Sequence, residues 1–150
     1  MSRCNIGVTP YRGPEYGLVS HWSLGETRDA VVLLTAGDWD YRELVLNWVI
    51  HAHQQRHWNA LVLAMDAELT ADLTRRALPV FDDSANLAAW NATVLQRHIQ
   101  AVRMERHVAA ASLALVGLDV LLTDATCVLR SAEVVPFLQQ QSADLLLQRD

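Results

Sequence analysis

The sequence predicts an α/β fold, a Rossmann-like half-domain in which a mostly parallel sheet of about five strands carries helices on both faces. Three observations predict it. Five short apolar runs recur along the chain: "AVVLLT" (30–35), "ALVLAM" (60–65), "LPVF" (78–81), "LDVLLT" (118–123) and "ADLLLQ" (143–148). The segments between them place apolar residues at helical spacing. The runs are also continuously apolar rather than alternating, which is the pattern of strands buried on both faces of a parallel sheet.

Residues 1–28 hold four of the six Gly and two of the four Pro without a sustained period, and they read as a loose leader ahead of a patterned domain at 29–150. The first run, 30–35, has β-branched residues and stops near Gly37, as a buried strand does. "DWDYRELVLNWVIHAHQQRH" (38–57) then spaces Tyr41, Leu44, Val45, Trp48, Val49 and Ala52 as one face of a helix. Asp40 and Glu43 stand three apart at its start, in the manner of a capping box. Asp66 ends the second strand, and "AELTADLTRRA" is a short helix. After the third strand the polar stretch "DDSANLAAWNAT" reads as a loop. It leads to a long helix from about 93 to 116, closed by Gly117. The fourth strand, 118–123, ends on Asp124; "SAEVVPFLQQQ" is a short helix or turn, and 143–148 is a fifth strand.

A chain of 150 residues is long enough to bury roughly 68–70% of its unfolded surface, so one real core is expected. With 51% apolar and 19% charged residues the composition is that of a globular domain, not a disordered one. A net charge of -5 speaks against nucleic acid, which rewards basic patches. All twelve basic residues are Arg, a bias read as compositional. No apolar run reaches the ~18 residues of a membrane span, and no signal-peptide pattern opens the chain. Cys4 and Cys127 are too few for a disulfide framework and read as buried free thiols.

In parallel sheets, ligands bind beyond the carboxyl ends of the strands, where strand order reverses. The residues at those ends are Thr35, Ala36 and Gly37, then Asp66, then Asp124. Asp66 reads more readily as the cap of the helix after it, and Asp124 equally as a helix cap or turn residue. His51, His53 and His57 fan around their helix and read as a solvated end rather than ligands, which need one face. Trp48, Trp58 and Trp90 read as core or core-margin residues, and Asp82 and Asp83 as adjacent loop acids whose side chains diverge. The sequence has neither glycine-rich phosphate loop, G-x-x-x-x-G-K-[ST] or G-x-G-x-x-G, and no G-x-S-x-G elbow. Carboxylates at strand ends suit a divalent cation with oxygen ligands.

Two stretches carry a resemblance. "ELVLNWVIHAHQQRHWNALVLAMDAEL" is similar to a segment in which an Asn-Trp pair on a helix precedes a strand ending in Ala-x-Asp. "GLDVLLTDATCVLRSAEVVPFL", followed by "ADLLLQRD", is similar to a stretch carrying an Asp-x-Asp motif and the next strand. Both belong to nucleotide-diphospho-sugar transferases, the plant and algal group of glycosyltransferase family 77 and its arabinosyl- and xylosyltransferase relatives. The likeness covers about residues 30 to 150.

The resemblance implies a GT-A fold, here only its donor-binding half, and a nucleotide-diphospho-sugar donor, UDP-linked, with a glycan or glycoprotein acceptor. It puts Asn47 and Trp48 in a packing role and Asp66 near the nucleotide. Arg106 stands where the family has Lys, facing the diphosphate, and Asp124 matches the first acid of Asp-x-Asp, on the metal side. The implied cofactor is Mn²⁺ or Mg²⁺, and the implied place of work is the Golgi lumen; without an anchor the chain would be cytoplasmic. Thr126 departs from the pattern, standing where the second acid belongs. One missing carboxylate beside a divalent ion forfeits on the order of several kcal/mol of gross attraction. The family continues beyond the fifth strand, so this chain reads as an inactive donor half with a tendency to self-associate through uncovered apolar surface. The alternative is a non-catalytic remnant or interaction module with no metal-dependent sugar-nucleotide binding.

Overall fold

The computed structural model describes residues 31–57, 59–93 and 98–142. Four strands, β1 (Val32–Gly37), β2 (Ala60–Ala64), β3 (Val80–Asp82) and β4 (Val120–Leu122), form one sheet in the order β3-β2-β1-β4. Every pairing is parallel: Leu34 lies opposite Leu61 and Leu122, and Val62 opposite Val80. The sheet is thus the expected one with four strands among the described residues; the fifth, at 143–148, lies outside them, as does the leader.

β1 shows why the apolar runs are continuous. Alternate side chains face opposite sides of a strand, and here both sides are covered. Leu33 joins a cluster with Val45, Trp48, Val49, Val62, Leu69 and Leu73, whereas Val32 and Leu34 join Leu61, Leu63, Met65 and Leu87. The first cluster is built by α1 (Arg42–Gln54) and α2 (Ala67–Arg75), and α5 (Val134–Gln139) packs its Val134 and Val135 on the same side. The second is covered by α4 (His98–Leu115), through Val102, Ala109, Ala110 and Leu113.

Several local expectations need correction. Asp40 is not the cap of the first helix. A short 3₁₀ turn, Trp39–Tyr41, precedes α1, and Asp38 caps it, its Oδ1 accepting from Tyr41 N at 3.2 Å. The polar stretch after β3 is largely helix, α3 (Ser84–Thr93). Four Ala in those ten residues favour a helix that the lack of an apolar stripe concealed. Asn91, Ala92 and Thr93 are the last residues of that helix. Gly117, at φ 88°, closes α4 as expected: Gly117 N donates to Ala114 O and Leu118 N to Leu113 O, a left-handed terminus that glycine adopts without strain.

Candidate functional site

Strand order reverses between β1 and β4: the chain leaves β1 toward β2 and returns on the other side as β4. The candidate site lies at their carboxyl ends, and Thr123 is its hinge point. Thr123 N donates to Leu34 O at 2.9 Å, and Thr35 Oγ1 donates to Thr123 O at 3.1 Å. From α1, the indole Nε1 of Trp48 donates to Thr123 Oγ1 at 2.9 Å. Trp48 is buried, as expected of a packing residue, but it also carries this polar tie; Asn47 beside it is exposed. Thr35 is 0% exposed, so its hydroxyl serves the sheet and not the crevice.

Held this way, β4 delivers Asp124 into the open, with 52% of its side chain exposed. Its Oδ1 accepts from both the backbone N and the Oγ1 of Thr126, each at 3.0 Å. Its Oδ2 accepts from Arg106 Nη1 of α4 at 3.2 Å. Cys127 N closes the turn on Asp124 O at 2.9 Å. The Thr126 backbone bond, then the Thr126 hydroxyl and the Arg106 guanidinium, outweigh partial burial and hold the Asp124 carboxyl below its ordinary range. The same turn aims Cys127 outward, so the thiol is exposed rather than buried; Cys4 lies outside the described residues.

The other strand ends are tied together on the β2 side. Met65 N donates to Gly37 O at 2.9 Å. A Cβ at Gly37 would stand 2.6 Å from Val45 Cγ2, so glycine lets α1 close over the end of β1. Ala36 is half-buried on the opposite face, against the cluster of Leu34 and Leu63. Asp66 caps α2, its Oδ1 accepting from Leu69 N at 2.7 Å, while its Oδ2 accepts from Trp39 N at 2.6 Å. It therefore fastens the segment after β1 to the start of α2. Arg42 lies over the Trp39 ring, 4.5 Å from its centre.

Of the residues singled out in the sequence, Arg106, Asp124 and Thr126 come together, with Thr35 directly behind them. Gly37 and Asp66 form a second group joined through Trp39. Sequence reasoning missed Thr123, which had no signal beyond its position before Asp124. It also missed the buried acids Asp83 and Glu105. Asp82 and Asp83 do diverge, the first exposed and the second 2% exposed. Asp83 Oδ1 accepts from Asn86 Nδ2 at 2.8 Å, and its Oδ2 is buried without a hydrogen-bond partner. Burial, with the neighbouring Glu105 and Asp82 carboxylates, outweighs the Asn86 bond and pushes Asp83 up to about 6. The helix end at 51–57 is also less solvated than expected, since His53 packs inward and burial lowers its pKa.

The donor set can be tested against a divalent ion. Asp124 is the carboxylate that Thr126 touches, and both its oxygens already hold donors. The Thr126 hydroxyl is uncharged and directs its proton to Asp124. Among the described residues no group of three or more His, Cys, Asp or Glu side chains gathers to hold a metal. These residues do not fit Mn²⁺ or Mg²⁺.

Fold and site together define an α/β domain of Rossmann-like type with its candidate crevice at the β1–β4 carboxyl ends. No family model, curated protein or solved structure matches the chain. No helix among the described residues is long and apolar enough to cross a membrane.

Proposed function

We propose that this domain binds a nucleotide-diphospho-sugar beyond the carboxyl ends of β1 and β4, as the donor half of a GT-A-type glycosyltransferase. The observation that carries the reading is the placement of Asp124 and Arg106 together at the point where strand order reverses. The resemblance of the Asn47-Trp48 and Asp124-Ala125-Thr126 segments to sugar-nucleotide transferases supports it. On this reading the Gly37–Trp39 segment, held by Asp66, borders the nucleoside, and Arg106 faces the diphosphate. A UDP-linked donor, a glycan or glycoprotein acceptor and work in the Golgi lumen follow from the resemblance.

A second reading is favoured by one observation: both oxygens of Asp66 and of Asp124 are engaged within the protein. A domain so arranged can bind a nucleotide without turning it over, or serve only as an interaction module. Calorimetric titration of UDP, then GDP, into the 150-residue chain separates the readings. Binding of either nucleotide, lost in Arg106→Gln, is the expected result. Failure of both to bind overturns the donor-binding reading.

A further inference from the structure

We propose that the β1–β4 crevice takes its diphosphate without a divalent ion, the Arg106 guanidinium being the cation that meets the phosphates. The inference rests on the donor-binding reading for the nucleotide, but its account of charge rests on the geometry around Asp124 alone.

A divalent ion approaching Asp124 would find each carboxylate oxygen taken. Oδ1 holds the Thr126 N–H and hydroxyl at 3.0 Å, and Oδ2 holds Arg106 Nη1 at 3.2 Å. The charges at that point, one carboxylate and one guanidinium at comparable distance, cancel for an incoming cation. Thr126 adds no negative charge to restore the attraction. A cation must therefore compete with the Arg106 guanidinium for Asp124.

A phosphate meets the same cancelled charge, but it meets hydrogen-bond donors where a cation meets acceptors already holding donors. The bond to Asp124 engages one of the five N–H donors of Arg106. Its Nε is buried without a hydrogen-bond partner, while the side chain as a whole stays 24% exposed beside the crevice. The planar fork is thus held at Nη1 by Asp124, and among the described residues its remaining Nη donors meet no hydrogen-bond partner, which leaves them for a second anion. Guanidinium geometry matches phosphate oxygens in pairs, which an ammonium does not. Asp124 is then a positioning residue: it orients the guanidinium instead of holding a metal. Thr126, standing where a second acid would attract a cation, is consistent with that role because its two donors occupy Oδ1 and leave Oδ2 to orient Arg106.

The experiment is calorimetric titration of UDP, GDP and inorganic pyrophosphate into the full chain, each in EDTA and in Mn²⁺, together with direct titration of Mn²⁺ alone. Arg106→Gln, Arg106→Lys and Asp124→Asn are compared, and circular dichroism with urea unfolding verifies that each is folded. In EDTA and Mn²⁺ the wild-type affinity for UDP agrees within about twofold. Arg106→Gln loses about tenfold or more, as expected when a charge-assisted, paired contact is removed, and Arg106→Lys falls between. Mn²⁺ alone does not bind at Asp124. UDP binding that appears only with Mn²⁺, or Mn²⁺ binding that Asp124→Asn abolishes, overturns the inference and leaves the donor-binding reading intact. Pyrophosphate binding that depends on Arg106 without any binding of UDP or GDP keeps the metal-free anion site and overturns the nucleotide. Failure of all three anions overturns both.

Discussion

The β1–β2 side of the sheet and the β4 side are built to different standards. Every residue of β2 is buried, as are five of the six in β1, whereas all three residues of β4 are only partly buried. The helices follow suit: α1 and α2 bury Val45, Trp48, Val49, Leu69 and Leu73, while α4 ends with Leu115 87% exposed. The acids differ in the same sense. Asp72, on α2, is 2% exposed; burial acts to raise its pKa, but the Arg76 and Arg75 guanidiniums prevail and lower it. Asp66 is a cap. On the β4 side, Asp124 stands in the open with Arg106. One side is closed scaffold, whereas the other is an edge strand among the described residues and ends on polar groups open to solvent.

The largest expected effect tests that division directly. Leu34→Ala, in the fully buried β1, should destabilise by about 2–5 kcal/mol, since it removes transfer energy and leaves a cavity. Leu122→Ala, opposite it in β4 and only partly buried, should cost about half as much or less. Urea midpoints measure both; equal losses would break the comparison.

The next effect concerns the seam where β3 and α4 meet, at Asp83 and Glu105. A carboxyl raised from 3.8 to about 6 in the folded protein binds its proton more tightly there than when unfolded. Its contribution is fully present below pH 3.8 and is lost as pH rises toward and through 6. The loss amounts to about 3 kcal/mol for this group. The difference in urea stability between wild type and Asp83→Asn should change by that order between pH 4 and pH 7, with wild type losing ground as pH rises. A pH-independent difference would show that Asp83 stays charged in the fold.

The smallest effect sharpens the comparison by severing the tie between the two sides. Trp48→Phe keeps the ring in the core but removes the Nε1 donor to Thr123 Oγ1. A loss of about 1–2 kcal/mol is expected, including the cost of the hydroxyl left without its donor. Thr123→Val removes the other partner, and in a double-mutant cycle the two changes should couple by about 1 kcal/mol. Strict additivity would mean that the bond contributes nothing.

Much of the scaffold was legible because burial on both faces writes itself as unbroken apolar runs. "AVVLLT" and "ALVLAM" sit within two residues of β1 and β2. Gly117 marked the end of α4 because only a left-handed turn closes that helix. The helix α3 was hidden, since it opens on Asp83 and Ser84 and has no clear apolar stripe. At the site, Asp66 and Asp124 were visible as acids at strand ends, but their partners were not. Trp39 N reaches Asp66 across 27 residues of chain and Arg106 reaches Asp124 across 18, while Trp48 ties Thr123, next to Asp124, across 75.

From the sequence alone come the fold class, the parallel sheet, most of its elements and the acids at the strand ends. These follow from local periodicity and from the need to bury apolar surface, both of which are written along the chain. Tertiary structure decided which acids cap helices, which one is buried and shifted, and that Asp124 faces a guanidinium. Those outcomes depend on charge, distance and desolvation between groups far apart in sequence, and only the packed fold sets them.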